Sequence, residues 1–143
     1  MMLLDTNVVS ELRKVGDGRA DPNLVAWLSG KDAGQFYLSV ISLMELEIGV
    51  LRLERRDSSQ GTLLRRWLDE RVKPAFAGRI LPIDPSVALR CANLHVPDPR
   101  SERDALIAAT ALEHAMSVVT RNVKDFVSTG VPLINPWDSA PAG

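Results

Sequence analysis

The chain has 143 residues, 45% of them hydrophobic and 24% charged, with a net charge of −1; this suits one compact domain whose core needs no staples. The single cysteine, Cys91, excludes an internal disulfide and suits a reducing compartment. The opening Met1–Asp5 has neither the apolar length nor the basic flank of a signal peptide, and no stretch reaches the ~20 apolar residues of a membrane span, so a soluble cytoplasmic protein is expected.

The near-neutral total conceals an uneven distribution. Residues 52–79 hold eight basic and four acidic side chains, a net of +4, between flanks of −3 and −2. This middle stretch is either a basic surface for phosphates or a solvated helical face.

In chain order, short apolar segments predict strands at Met2–Leu4, Phe36–Ser39, Ile80–Ile83, Val118–Thr120 and Leu133–Ile134. Helical patterns separate them, and the turn-rich residues 15–22 form a surface loop. Strand and helix alternate, which predicts an α/β fold with a mostly parallel sheet between helices. The spacing predicts a helix over Leu43–Arg56 that is apolar on two faces, with Leu43, Leu46, Val50 and Leu53 on one and Met44, Ile48 and Leu51 on the other. A turn at Asp57–Gly61 should lead into a second helix, with Leu64, Trp67, Leu68 and Val72 on one stripe, ending before Pro74. The helix opening near Asp104 is apolar nearly all round and should lie centrally buried.

Acids stand where strands are expected to give way to helices: Asp5 in Leu3–Asn7, Glu45 after the second strand, Asp104 at the start of the buried helix, and Asp125, with the amide Asn122 before it, in the segment Thr120–Phe126. Taken singly, each is a helix cap. Ser42-x-x-Glu45, Ser101-x-x-Asp104 and Asn122-x-x-Asp125 have capping-box spacing, and first-turn acids complement the helix dipole. Taken together they point elsewhere, because ligands of open parallel sheets bind beyond the carboxyl ends of the strands. Carboxylates converging there raise one another's pKa unless a cation offsets the repulsion. Hard oxygen donors without a His or Cys cluster select Mg²⁺ or Mn²⁺, and the matching chemistry is phosphodiester hydrolysis by water that the cation activates.

Leu3-Leu4-Asp5-Thr6-Asn7, Ser39 to Glu45 with Gly49, Asp104 with Ile107-Ala108-Ala109-Thr110-Ala111, and Thr120 to Phe126 together resemble the PIN-domain toxins called VapC. Residues 77–82 and the ending Ile134-Asn135-Pro136-Trp137 look closest to the FitB-like branch. The resemblance runs over residues 2 to 137. It implies a single PIN-like domain over residues 1–143 with a five-stranded parallel sheet, and a metal-dependent endoribonuclease that is the toxin of a type II toxin–antitoxin pair. Asp5, Glu45 and Asp104 would be the metal-site acids, with Asp5 and Asp104 as direct ligands of Mg²⁺ or Mn²⁺. Glu45 would bind through water or orient the attacking water. Relatives often have Thr-Arg-Asp where this chain has Thr120-Arg121-Asn122, so the fourth position falls to Asn122, to Asp125, or to neither. Thr6 and Asn7 would hold the first carboxylate, and Thr120 would bond within the site. The approach to Asp104, residues 95–103, is shorter and richer in proline than in FitB-like relatives.

The same resemblance implies an RNA substrate, a DNA-binding antitoxin whose tail covers the cleft, and a homodimer. The doubly apolar hairpin from Leu43 to Val72 is the candidate grip for the antitoxin, through Leu46, Leu53 and Trp67. An aspartyl-phosphate phosphatase would need an aspartate at position 7, where Asn7 stands. The other alternative is a non-catalytic protein-binding module whose acids only cap helices. His95, His114, Cys91 and Trp137 carry no motif that assigns them chemistry.

Overall fold

In the computed structural model, which describes residues 1–138, β1 (Met2–Leu4), β2 (Phe36–Ser39), β3 (Ile80–Leu81), β4 (Ser117–Val119) and β5 (Leu133–Ile134) make one sheet. Their order is β3–β2–β1–β4–β5, and all four pairings are parallel. The expected strands are all present; β3 stops two residues early, where Pro82 has no N–H to give a ladder, and β4 is displaced by one residue.

Successive strand residues face opposite sides, and both sides are apolar. Leu4, Leu38 and Val119 pack on one face with Val8 and Val9, Leu24, Leu46 and Val50. Leu3 and Val118 pack on the other with Ile107, Ala108, Ala111 and Phe126. The helices that cover these faces are α1 (Thr6–Val15), α2 (Pro22–Leu28), α3 (Val40–Arg56), α4 (Ser58–Trp67), a short α5 (Lys73–Ala75), α6 (Pro85–Leu94) and α7 (Glu102–Glu113). As expected, α7 is central: Ala105 and Ile107 through Ala111 are all buried.

Three local expectations are corrected. First, α3 begins at Val40, not Leu43, because Ser39 takes the capping role and its Oγ accepts from Ile41 N at 3.0 Å. Ser42 therefore lies inside the helix, fully buried, and Ser42-x-x-Glu45 is not a capping box. Second, Asp57–Gly61 is not a turn. Asp57 alone joins α3 to α4, ending one and capping the other through Gln60 N. Gly61 sits within α4 against α3, where a Cβ would stand 2.7 Å from the Glu54 nitrogen and closer still to its Cα. Third, Pro74 does not end the helical run. A π turn over Leu68–Val72, closed by Lys73 N–H to Leu68 C=O, leads into α5, and the wider turn accommodates a residue that would clash with the preceding carbonyl of a regular helix.

The hairpin is less two-faced than its pattern suggests. Leu46 is core, whereas Met44, Leu51 and Leu63 are its exposed apolar residues. Among the described residues no helix is long and apolar enough to cross a membrane. The last five residues of the expected 1–143 span, 139–143, lie outside those described.

Candidate active site

The strand order reverses at β1: the chain steps outward to β2 and β3, then returns to β4 on the other side of β1. The crevice beyond that switch is where an open parallel sheet offers a site. Asp5 ends β1 there, its N–H bonded to Val119 C=O at 2.9 Å. Its side chain is 6% exposed and accepts three hydrogen bonds. Thr6 N donates to Oδ1 at 2.8 Å; Thr120 Oγ1 at 2.8 Å and Asn7 Nδ2 at 3.2 Å both donate to Oδ2. Asn7 is a hub, since its Nδ2 also reaches Thr120 Oγ1 and its Oδ1 accepts from Arg121 N at 3.2 Å.

Glu45 arrives one and a half turns into α3. Thr6 Oγ1 donates to its Oε1 at 2.7 Å, and Ser42 Oγ lies 3.1 Å from the same hydroxyl. Its other oxygen faces Arg103 Nη1 at 3.7 Å. Thr6 thus divides its work: the backbone N–H holds the first carboxylate, while the hydroxyl holds Glu45.

Asp104 does not follow a strand, contrary to the pattern inferred for it. It comes after α6 and a loop, at the third residue of α7. Ser101 Oγ accepts from Asp104 N, so the serine half of that capping box forms. Because α7 leads back into β4 through Ala115–Met116, it runs against the strands and its N-terminus lies at their carboxyl edge. The short loop before it is tied down by Arg100, which donates to Leu94 C=O at 2.6 Å and Ser128 Oγ at 2.7 Å.

After β4, Asn122 is exposed; its N–H bonds Thr120 Oγ1 at 3.0 Å, and its side chain caps nothing. Asp125 is exposed on a 3₁₀ turn (Val123–Asp125).

Electrostatics tie these acids together. Burial pushes the Asp5 carboxyl up from its ordinary value, against the lowering effect of Thr120 and Thr6, and the charges of Glu45 and Asp125 push it further. Asp104 is raised to about 6, by burial first and then by Asp5, Asp125 and Glu45. The four carboxylates are therefore neighbours. They are not converged, however: among the described residues no group of three or more His, Cys, Asp or Glu side chains stands ready to hold a metal ion. Burial is the main cause of both shifts, and the neighbouring like charges add to it. Such a set of hard oxygen donors fits a divalent cation.

The sequence resembles known proteins throughout. It matches the PIN domain family over residues 2–130. The chain belongs to the PIN domain family. Two curated relatives of this PIN domain are VapC ribonuclease Y4jK of Sinorhizobium fredii, 36% identical over 98% of this chain and 100% of its own, and Toxin FitB of Neisseria gonorrhoeae, 38% identical over 96% and 99%. Among solved structures, FitAcB from Neisseria gonorrhoeae superimposes with a TM-score of 0.85 at 36% identity, covering 96% of this chain and 99% of that one. FitAB bound to an IR36 DNA fragment gives 0.87 at 34% identity, covering 98% of each.

Two residues escaped sequence reasoning. Ser42 was masked by its resemblance to a cap, and Arg103 carries no motif; only the packing of α7 against α3 brings it to Glu45.

Proposed function

We propose that this chain is the toxin of a type II toxin–antitoxin pair, an endoribonuclease that hydrolyses RNA phosphodiester bonds in the cytoplasm. The observation that carries this reading is the coupling of Asp5, Glu45, Asp104 and Asp125 at the switch point of the sheet, in a chain similar over nearly its whole length to proteins named as ribonucleases and toxins. PIN-domain ribonucleases generally depend on a divalent metal; here Mg²⁺, with Mn²⁺ as substitute, would be held by Asp5, Asp104 and Glu45. When bound, the cation supplies charge that activates water and offsets negative charge building on the phosphoryl and leaving oxygens.

The protein's own groups do the positioning. Thr6 N, Thr120 and Asn7 fix both oxygens of Asp5. Thr6 Oγ1 fixes Oε1 of Glu45 and leaves Oε2 to orient an attacking water beside Arg103. Asp125, whose charge reaches both Asp5 and Asp104, is the better occupant of the fourth acidic position; Asn122 supports Thr120 through its backbone. A module whose acids merely cap is disfavoured, because Glu45 lies beyond the first turn of its helix and is engaged by Thr6 instead.

The partners follow from the same reading: an RNA substrate, a second copy in a homodimer, and a cognate DNA-binding antitoxin. One domain with a core over residues 2–137 suffices for all of this. The antitoxin grip, first placed on Leu46, Leu53 and Trp67, moves to the groove between α1 and the hairpin, which Leu46 and Trp67 line and Leu53 does not. The deciding experiment compares wild type with Asp5→Asn on total bacterial RNA with Mg²⁺, Mn²⁺ or EDTA. Metal-dependent cleavage that the variant lacks supports the assignment; equal behaviour of the two proteins overturns it.

A further inference from the structure

The hollow beside the acids continues well past them. Thr6, Ser10, Arg13, Glu45, Gly49 and Trp67 line a space of about 160 Å³. Arg13 and Trp67 also line a larger one of about 550 Å³, whose far wall is Arg66, Glu70 and Arg71. Sharing Arg13 and Trp67, the two hollows adjoin and together form a channel between α1 and the α3–α4 hairpin, with Glu45 bordering one and Arg71 the other. We propose that this channel is a track for the backbone of single-stranded RNA, with Arg13, Arg66 and Arg71 holding phosphates away from the point of cleavage. The proposal rests on the nuclease reading for where the strand is cut.

Charge carries the argument. Of the eight basic residues in the middle of the sequence, three are occupied by internal bonds: Arg65 pairs with Glu47, Glu54 and Asp69, Lys73 pairs with Asp69, and Arg79 donates to the Ala33, Phe36 and Ala75 carbonyls. Among the described residues, Arg13, Arg66 and Arg71 enter no ion pair within 4.0 Å; they line the larger hollow beside a single carboxylate, Glu70, while Glu45 lines the smaller one. The i→i+5 turn closed between Leu68 and Lys73 draws residues five apart toward one face, which sets Arg66 and Arg71 on the same wall. Guanidinium forks match phosphate oxygens in pairs, and Trp67 offers a flat apolar surface on which a base can stack. Four acids repel phosphates, so a strand crossing them needs cations farther along its path. An acidic peptide could meet the same guanidiniums, but the channel opens at the proposed point of cleavage, where a strand being cut must continue.

The test uses the full chain carrying Asp5→Asn, so that RNA is bound and not cut, with a fluorescein-labelled single-stranded RNA followed by anisotropy over a salt series. Arg66→Gln with Arg71→Gln should raise Kd at least about tenfold at low salt and flatten the slope of log K against log salt by about 1.4, at ~0.7 per lost contact on single strands. Arg52→Gln with Arg55→Gln removes the same charge from exposed positions outside the channel and should change Kd by less than about twofold, as a distant screened charge does. Equal effects of the two pairs would reduce the track to a general field and overturn it. So would unchanged RNA binding in the channel pair, including the case where that pair loses only the grip on an acidic peptide. If wild type cuts no RNA, the nuclease reading fails while the binding comparison still decides the track; if wild type cuts RNA and the channel pair binds normally, the track alone fails.

Discussion

Replacing Asp104 by Asn should make the metal-free protein more stable at neutral pH, although it removes a charge from the favourable first turn of α7. The carboxyl titrates near 6 in the fold against about 3.9 in an unfolded chain, a difference worth at most ~3 kcal/mol. Asp104 is only half-buried, and solvent screening reduces this to about 1–2 kcal/mol. Loss of the dipole interaction takes back roughly 0.5 kcal/mol. The net of about 0.5–1.5 kcal/mol corresponds to a melting temperature higher by ~2–5 °C for a domain of this size. The pH dependence has a definite sign. Between about 4 and 6 the native state binds more protons than the unfolded one, so wild-type stability should fall as pH rises through that window and level off above it. Asp104→Asn should lack that share of the fall. Thermal melts in EDTA from pH 4.5 to 7.5 measure both. A variant that melts below wild type at pH 7.5, by the ~0.5–2 kcal/mol typical of a lost cap, with no wild-type decline across the window, would refute the raised Asp104 pKa.

Other outcomes follow from the same geometry. Added Mg²⁺ should raise the wild-type melting temperature, by up to ~2.7 kcal/mol of stabilisation at a hundredfold excess over Kd, and leave Asp5→Asn unmoved; equal shifts in both would place the ion elsewhere. Thr6→Val removes the hydroxyl that holds Glu45 and should lower cleavage about tenfold or more for a misplaced group, whereas Thr6→Ser should retain most of it; loss in both would mean that the methyl matters and the hydrogen bond does not. Gly61→Ala forces a Cβ against the Glu54 backbone and should destabilise by about 1–3 kcal/mol, visible in urea melts; a neutral result would show that the hairpin separates freely.

Much of the architecture is legible from short-range pattern. Short apolar runs mark all five strands, and the buried character of α7 follows from Ala105 to Leu112 being apolar nearly all round. Asp5 at the end of β1 needs only the strand and the turn after it. Errors arise where two local signals compete. Ser39 and Ser42 are both plausible caps, and only the strand's length decides that Ser39 is the one; Gly61 resembles a turn glycine until the neighbouring helix is seen to need the space.

The sequence by itself determined which acids were available, that Asp5 ends a strand, and that their donor atoms suit a hard cation, because these depend on residue type and local periodicity. The tertiary structure decided which side chains meet. Asp104 reaches the crevice only because α7 runs against the strands, Arg103 meets Glu45 only through the packing of α7 on α3, and Arg13 joins Arg66 and Arg71 across two helices far apart in the chain. Such contacts depend on the relative placement of whole elements, which no local pattern records.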